Sequence, residues 1–281
     1  MKILTANIGM GMPGMRSATT SLRILVGFHG WSVLPFIIFG GRLGWLFRYS
    51  VYADSKRERW LGSKSTLTPT LDLIEKEQPD VVILNEVVYE IHKESLETAL
   101  ERLGFPHIAW GRSLHHPGAT MSTVTASKLP CLSDGFTPEI LQLPQISGGA
   151  GISGVRLAHL PVTIVGFHLT LGLRKLFQRQ LADLVKLAEA ERAEGRTMLL
   201  AGDFNARAKI IGKQKAFAKL QMTSVTRQVT SPLGLPKQFQ RDLDHIFIPT
   251  NWHIQETKYA AFGSDHSAVI ATVTPPVESD Q

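Results

Sequence analysis

Polar side chains of three kinds stand at the ends of short apolar segments along this chain. They are carboxylates, carboxamides and imidazoles: Asn7, Glu86, His168, Asp203, Asn205, Asp244, Asp265 and His266. Carboxylate and amide oxygens are ligands that suit Mg²⁺ or Mn²⁺ and argue against a structural zinc site. Imidazole and carboxylate groups can also activate a water molecule, and hydrogen-bond donors can clamp charge on phosphoryl oxygens. These residue types could therefore carry out a metal-assisted hydrolysis.

Each of these residues also has a structural interpretation when it is considered alone. The alternatives are a strand-end turn at Asn7, a helix-start carboxylate at Glu86, a core histidine at His168, a turn at Gly202-Asp203-Phe204-Asn205, an acceptor for a turn amide at Asp244 and a strand-entry cap at Ser264-Asp265-His266. An unpaired carboxylate beside a core is costly, however, so buried strands rarely end in such groups by accident. The order in which the segments occur favours the functional interpretation.

Strands and helices alternate in the segments that must position these side chains. The predicted strands are Lys2–Ile8, Asp80–Leu84, His107–Trp110, Ser122–Ser127, Ile152–Leu157, Val162–His168, Thr197–Ala201, Asp244–Ile248, His253–Tyr259 and Ser267–Val273. The predicted helices run from a cap at Thr68 to the stop at Gln78-Pro79, from Glu90 to Leu103, from Leu173 to Glu194 and from Lys213 to Leu220. Most of the polar side chains follow the last residue of a predicted strand. We therefore expect a mixed α/β fold with the site at strand ends.

Six blocks of sequence, taken in order, carry a resemblance to a known family. The blocks are Leu4-Thr5-Ala6-Asn7, Asp80-Val81-Val82-Ile83-Leu84-Asn85-Glu86, Val165-Gly166-Phe167-His168-Leu169, Leu199-Leu200-Ala201-Gly202-Asp203-Phe204-Asn205-Ala206, Asp242-Leu243-Asp244-His245-Ile246-Phe247 and Ser264-Asp265-His266-Ser267. This pattern resembles the endonuclease/exonuclease/phosphatase superfamily, the group that includes DNase I. The resemblance runs from Met1 to about Val273 outside one insertion. It implies a four-layer αββα sandwich with the site at one end of the two sheets.

The resemblance also implies a divalent metal, Mg²⁺ or Mn²⁺, and its ligands. Glu86 matches the principal metal ligand of the family. Asp265 matches a position that contributes to the metal region, and Asn7 is expected beside Glu86. Many relatives have glutamine immediately before the metal-binding glutamate, whereas this chain has Asn85.

The catalytic roles that the resemblance implies are divided among five residues. His266 would deprotonate or position the attacking water, or clamp the phosphate, and Asp244 would hold the His266 ring in the right tautomer. His168 and Asn205 would donate hydrogen bonds to the phosphate. Asp203 would orient the water or assist the leaving group.

The positive charge of the chain is concentrated in one segment. The chain has 30 basic and 24 acidic residues and a formal net charge of +6. Residues 10–64 hold eight basic and two acidic residues, so the whole excess lies there. The same segment contains the uncharged run from Ile24 to Gly41, followed by Trp45 and Phe47. We interpret 10–64 as an insertion after the first strand, within a single domain of residues 1–274 that ends in a frayed tail, 275–281.

Residues 24–47 have three alternative interpretations. They could form a cap packed on the domain, an element that touches a membrane surface, or a membrane span. Pro35 and several glycines make a continuous spanning helix unfavourable. We expect a cytoplasmic monomer, peripheral at the membrane if this segment docks there. The single cysteine, Cys131, excludes an intrachain disulfide and a cysteine-based zinc site, and fits a reducing compartment. The first residues lack the apolar stretch of a secretory signal.

Three functions are compatible with these features. The first is a divalent-metal-dependent nuclease, since phosphate backbones attract lysine and arginine. The second is a phospholipid or sphingomyelin phosphodiesterase that docks on a bilayer through Trp31, Trp45 and the phenylalanines of 24–47. The third is a catalytically inactive interaction module, which would have no need of the polar site residues. The sequence predicts a phosphodiester hydrolase and favours nucleic acid as its substrate.

Overall fold

The structure, a computed structural model, describes residues 1–8, 67–112, 121–133, 135–136, 150–169, 174–231, 240–264 and 266–276. Within these ranges the strands are β1 Lys2–Asn7, β2 Val81–Val88, β3 His107–Arg112, β4 Met121–Ser127, β5 Ala150–Arg156, β6 Val162–His168, β7 Thr197–Asp203, β8 Met222–Ser224, β9 Asp244–Pro249, β10 His253–Ala261 and β11 Ser267–Thr274. The helices are α1 Leu67–Glu77, α2 Tyr89–Arg102, α3 Arg174–Ala193, α4 Ala208–Gly212 and α5 Lys215–Ala218.

The strands form two mixed sheets. The first sheet has the strand order β10-β11-β1-β2-β4-β3, and the second has the order β5-β6-β7-β9-β8. Strand β1 is parallel to β2 and antiparallel to β11. Strand β6 is parallel to β7, and β7 is antiparallel to β9. The parallel pairs bring the C-terminal ends of β1 and β2, and of β6 and β7, to one edge of each sheet.

Three apolar clusters separate four layers. Between the two sheets lie residues such as Ile83 of the first sheet and Leu199 of the second. On the outer face of the first sheet, Leu96 and other residues of α1 and α2 pack against the strands. On the outer face of the second sheet, Leu184 and other residues of α3 do the same. The layers therefore follow the order helix, sheet, sheet, helix, which confirms the predicted αββα sandwich.

Alternation along the strands decides which side chains face the gap between the sheets. In β1, Ile3 packs in the cluster between the sheets while Leu4 packs against the helices. Asn7 is in phase with Ile3 and therefore points into the gap at the end of the strand. In β7, Asp203 follows Leu199 at the same even spacing. The apolar core between the sheets thus continues into a polar end.

The boundaries of several elements differ from the sequence-based prediction, and the two largest differences are at β2 and near α5. Strand β2 does not stop at Leu84 but continues to Val88, with a shift in its pairing to β4 between Leu84 and Val87. This irregularity breaks the alternation on which the prediction relied. The predicted helix from Lys213 to Leu220 is present but shorter, as α5 Lys215–Ala218, and the helix before it, α4 Ala208–Gly212, is not predicted by the sequence. Gly212, a poor helix former, ends α4.

The predicted insertion, 10–64, lies wholly outside the described residues, and so does its apolar part, 24–47. The placement of its positive charge and its contact with a membrane stay predictions, as does the division into domain and tail. In the ranges that the structure covers, no helix combines the length and apolar character needed to cross a bilayer.

Candidate active site

Two rows of polar side chains face each other at one end of the gap between the sheets. In the second sheet, His168, Asp203 and Asp244 are direct neighbours across β6, β7 and β9. In the first sheet, Asn7 of β1 is the direct neighbour of Asn85 in β2. All five side chains are buried. Strand register, which is set by the apolar core, therefore assembles the site.

The Asn7 amide connects the two rows. Its Nδ2 donates to Oδ2 of Asp203 at 3.0 Å and lies 3.2 Å from Oε1 of Glu86, which follows Asn85 in the chain. The other oxygen of Asp203, Oδ1, accepts a hydrogen bond from the backbone N–H of Asn205 at 2.7 Å. One amide group thus brings a carboxylate of the first sheet and a carboxylate of the second sheet to the same point.

A carboxylate and an imidazole form a second pair beside Asp203. Nδ1 of His266 lies 2.7 Å from Oδ2 of Asp244. The Nδ1–H therefore donates to the carboxylate, which leaves Nε2 as the nitrogen that takes up a proton. The Ser264 hydroxyl donates to the backbone oxygen of Asn7 and accepts from the backbone N–H of His266. Ser264 thereby joins the end of β1 to the segment that carries the imidazole.

Three of these groups are close enough to share one ligand. Atoms of Asp203, Asp244 and His266 lie within 4.8 Å of one another. Burial, followed by the charge of Asp244, raises the pKa of Asp203 to about 6. The other oxygen of Asp244, Oδ1, is buried and has no hydrogen-bond partner within the described ranges. Two neighbouring buried carboxylates need a proton or a cation to compensate their charge.

The donor set at this point fits a divalent cation. Glu86 and Asp203 present carboxylate oxygens on either side of Asn7, and Oδ1 of Asp244 is a further unpartnered oxygen. Oxygen ligands of this kind suit Mg²⁺ or Mn²⁺. The Glu86 side chain is 19% exposed, so a cation can reach it from solvent. Asp265, the third predicted metal ligand, lies outside the described residues.

His168 and Asn205 lie on the other side of Asp203. Nε2 of His168 is 3.0 Å from Nδ2 of Asn205, 3.5 Å from Oδ2 of Asp203 and 3.7 Å from Oε1 of Glu86. The Asn205 amide also donates to the backbone oxygen of Leu169. Nδ1 of His168 is buried without a hydrogen-bond partner among the residues that the structure covers. This histidine is therefore part of the polar cluster rather than a fully hydrogen-bonded core residue.

The backbone takes uncommon conformations where the chain turns these side chains into the site. Glu86 has φ +58° and Asn205 has φ +49°, and both lie in the left-handed region. At Gly202, φ is +145°, and a Cβ atom would lie 1.9 Å from the backbone oxygen of Phe167. Only glycine can occupy this position before Asp203. Positive φ in non-glycine residues commonly accompanies functional sites.

The described ranges contain all the predicted site residues except Asp265, and the structure brings them together. The contacts described above join seven residues into one cluster: Asn7, Glu86, His168, Asp203, Asn205, Asp244 and His266. The helix-start alternative for Glu86 is wrong, because this residue lies within β2. Their individual catalytic and metal-binding roles stay predictions.

Two residues with contacts to this cluster received no role from the sequence. Ser264 binds both Asn7 and His266 through the backbone. Asn85 accepts a hydrogen bond from the backbone N–H of Asp203. Asn85 is in phase with Val81 and Ile83, which face the second sheet, so strict alternation was a signal that could have identified it.

Comparison with known proteins agrees with this fold. The model of the family described as "Endonuclease/Exonuclease/phosphatase family" matches residues 51–266. A search among curated protein sequences found no match. An endonuclease/exonuclease/phosphatase from Beutenbergia cavernae is 19% identical, with a TM-score of 0.64 over 98% of this chain and 71% of that chain.

Two further solved structures have the same fold. An endonuclease/exonuclease/phosphatase family protein from Leptotrichia buccalis is 14% identical, with a TM-score of 0.62 over 98% of this chain and 99% of that chain. The 2',3'-cyclic phosphatase ANGEL2, in complex with adenosine-2',3'-vanadate, is 13% identical, with a TM-score of 0.57 over 97% of this chain and 94% of that chain. At these identities the likeness establishes the fold.

Proposed function

This chain belongs to the endonuclease/exonuclease/phosphatase family, and we propose that it is a divalent-metal-dependent phosphodiester hydrolase that acts on nucleic acid. The observation that carries the proposal is the meeting of two buried carboxylates, Asp203 and Asp244, with His266 within 4.8 Å. The Asn7 amide adds the Glu86 carboxylate to this group. A protein that only bound a partner through its surface would gain nothing from such costly burial.

Glu86 and Asn7 are the described residues that we assign to the metal, together with Asp265. When bound, Mg²⁺ or Mn²⁺ supplies positive charge that stabilises the phosphoryl oxygens as negative charge develops on them. The Asn7 amide orients the Glu86 carboxylate by its contact of 3.2 Å. Because Glu86 is only half-buried, a phosphate can approach its carboxylate from solvent.

His266 is the residue that we assign to proton transfer from the attacking water. Its Nδ1–H is held by Asp244 at 2.7 Å, so Nε2 is the basic nitrogen. When Nε2 takes up a proton, the imidazolium lies against the Asp244 carboxylate, which compensates its charge. Asp244 acts here by orienting and stabilising the ring rather than by accepting the proton itself.

The remaining three residues surround the phosphate in this mechanism. Asp203, with its pKa raised to about 6 by burial and by Asp244, can hold or release a proton near neutral pH. It can therefore orient the water or protonate the leaving oxygen. The Asn205 amide and the His168 ring, 3.0 Å apart, are the groups that we assign as donors to the phosphoryl oxygens, and these bonds would replace the contact between the two side chains.

An arginine adjacent in sequence to a site residue supports nucleic acid as the substrate. Arg207 follows Asn205 by two residues, its side chain is 47% exposed, and its Nε lies 3.9 Å from Oδ1 of Asp242. An exposed arginine attracts a polyanionic backbone. One protein of the same fold, ANGEL2, is a 2',3'-cyclic phosphatase whose structure holds adenosine-2',3'-vanadate.

Purified protein should be assayed with Mg²⁺ and with Mn²⁺ against plasmid DNA, single-stranded RNA, an abasic duplex and sphingomyelin liposomes. We expect metal-dependent cleavage of at least one nucleic acid and none of sphingomyelin. His266→Ala should lower turnover by about two orders of magnitude or more without changing the circular dichroism spectrum. His253→Ala, which changes an exposed histidine of β10, is the matched control and should retain full turnover.

Other results of the same assays would contradict the proposal in different ways. Cleavage of sphingomyelin alone, with liposome binding that disappears when residues 24–47 are deleted, would identify a membrane-surface phosphodiesterase. Absence of turnover on every substrate with either metal would favour an inactive interaction module. Equal turnover of the wild-type protein and of His266→Ala would contradict the assignment of the base.

A further inference from the structure

The Asn85 side chain crosses the gap between the two sheets. It is fully buried, and its Nδ2 donates to Oγ1 of Thr123 at 3.0 Å within its own sheet. The same Nδ2 donates to the backbone oxygen of Phe167 in β6 at 2.9 Å. Its Oδ1 accepts from the backbone N–H of Asp203 in β7 at 3.1 Å. Two hydrogen bonds therefore fasten one side chain of β2 to two strands of the other sheet.

The strand opposite Asn85 has a conformation that admits these bonds. Gly202 precedes Asp203, with φ +145°. A Cβ at Gly202 would lie 1.9 Å from the oxygen of Phe167 and 3.2 Å from Oδ1 of Asn85. A side chain there would displace the two groups that Asn85 connects. The glycine and the asparagine therefore form a matched pair across the gap.

The residue after Asn85 is the predicted metal ligand. Glu86 has φ +58°, and the pairing of β2 with β4 is irregular at this point. Because Asn85 is held by three hydrogen bonds, the change of direction falls at Glu86, and the carboxylate comes to lie against Asn7. Asn85 thus fixes the backbone from which the Glu86 side chain extends, and it also fixes the backbone of Asp203.

We propose that Asn85 is a positioning residue that holds the Glu86 carboxylate beside Asn7, and thereby sets the affinity of the site for its divalent cation. Asn85 acts through Glu86, and its bond to the backbone of Asp203 anchors it in the second sheet. The inference rests on the proposed function, because it concerns the cation which that function requires. A buried amide with every bond satisfied is rigid, which suits it to this role.

A pair of substitutions on one strand tests this role. Thr123→Val removes the hydroxyl that binds Asn85, whereas Thr125→Val removes a buried hydroxyl that contacts Oγ of Ser153 at 2.8 Å. Both threonines lie in β4, are fully buried and face the gap. Each variant therefore loses one buried hydroxyl from the same strand, and only Thr123→Val loses a contact with Asn85. Asn85→Leu removes all three bonds of the side chain at once.

The measurements are the Mg²⁺ concentration for half-maximal turnover and the rise in melting temperature that Mg²⁺ produces. We expect about a tenfold or larger increase in the half-maximal Mg²⁺ concentration for Asn85→Leu and a smaller increase for Thr123→Val. The KM for the nucleic acid should not change, and Thr125→Val should keep the Mg²⁺ requirement of the wild type. A merely structural role would lower the melting temperature without moving the Mg²⁺ requirement.

Equal Mg²⁺ requirements for Thr123→Val and Thr125→Val would overturn the inference, even if Asn85→Leu fails to fold. If the wild type is active with Mg²⁺ and the variants have the same Mg²⁺ requirement, the role of Asn85 is contradicted. The proposed function would then still stand. A wild-type protein that neither cleaves a phosphodiester nor melts at a higher temperature with Mg²⁺ or Mn²⁺ would overturn the proposed function and this inference together.

Discussion

Burial and a neighbouring charge both disfavour the ionised form of the Asp203 carboxylate. It lies in a buried strand end beside Asp244, and both influences raise its pKa, to about 6. Hydrogen bonds from Asn7 and from the backbone of Asn205 compensate part of the cost. Without a cation, the charged form of Asp203 opposes folding at neutral pH.

The stability of the metal-free protein should therefore depend on pH in a defined direction. A carboxylate whose pKa is raised on folding stabilises the protein at low pH and loses that contribution as pH rises through about 6. Between pH 5 and pH 7.5, in EDTA, Asp203 should lower the free energy of unfolding by about 1–2 kcal/mol. Urea unfolding of the wild type and of Asp203→Asn measures this difference. An equal pH dependence for the two proteins would exclude Asp203 as its source.

At the scale of the single element, the end of β7 depends on one glycine. The backbone of Gly202 approaches Phe167 so closely that a Cβ would overlap its carbonyl oxygen. Strand β7 lies between β6 and β9 and carries Asp203. A change at Gly202 thus affects both the pairing of the central strands and the direction of the carboxylate.

Gly202→Ala should destabilise the protein by more than about 3 kcal/mol, because backbone atoms rather than a flexible side chain must move. Gly212→Ala is the control, since a Cβ at the end of α4 meets nothing within 4 Å. Alanine there should leave stability unchanged or raise it slightly. Thermal unfolding compares the two variants, and similar melting temperatures would contradict the close approach at Gly202.

Helix α3 is attached to the second sheet by a buried ion pair at its C-terminal end. Glu191 is 1% exposed and accepts hydrogen bonds from Nε of Arg156 in β5 at 3.2 Å and from the Thr163 hydroxyl in β6. Burial raises the pKa of Glu191, but the hydrogen bonds from Arg156 and Thr163 together lower it below its usual value. This helix covers the outer face of the sheet that carries Asp203.

Glu191→Gln should lower the free energy of unfolding by about 2 kcal/mol at pH 7, because Arg156 and Thr163 lose a charged partner. A carboxylate with a lowered pKa stabilises the fold above pH 4.5 and loses that contribution as pH falls. The difference between wild type and variant should therefore shrink from pH 5 to pH 3. Glu189→Gln, an exposed position on the same helix, should show no such difference in urea unfolding.

The type and order of the predicted elements agree with the structure, while elements that lack a repeating pattern were missed. The run Val162–His168 is continuous and apolar, and it was predicted to the residue. Strand β8 has three residues, too few for alternation to be recognised, and it was not predicted. The continuation of β2 beyond Leu84 was missed because it depends on the positive φ of Glu86.

At the scale of the whole molecule, the site exists only when the two sheets are packed together. Glu86 and Asn7 come from the first sheet, and Asp203 and Asp244 come from the second. A cation held by Glu86 and Asn7, which are 79 residues apart in the sequence and lie on two different strands, binds the folded state alone. Its binding must then raise the free energy of unfolding by mass action.

Mg²⁺ should raise the melting temperature of the wild type, and more Mg²⁺ should raise it further, since the stabilisation grows with the ratio of free ion to Kd. Glu86→Gln should reduce this shift, because Glu86 is assigned as the principal ligand. Glu101→Gln, an exposed position in α2, should leave the shift intact. Differential scanning calorimetry at constant ionic strength measures the effect. Equal shifts for the two variants would exclude Glu86 as a ligand.

Which polar residues lie together at this end of the sheets could be predicted from the sequence, but the contacts among them could not. Asp203 and Asp244 are in phase with apolar residues that face the gap, so their common location follows from alternation. The bridging contacts of Asn7 and the crossing bonds of Asn85 depend on the distance between the two sheets. Side-chain size throughout the core sets that distance, and no single segment of sequence contains it.

The row formed by His168, Asp203 and Asp244 limits how this protein can evolve in length. Side chains change face at every residue of a strand, so a one-codon insertion or deletion inside β6, β7 or β9 would turn one of these groups toward the helices. The same insertion or deletion would turn apolar core residues of that strand to the opposite face of the sheet. Homologues should therefore differ in length between the strands and hardly ever within these three.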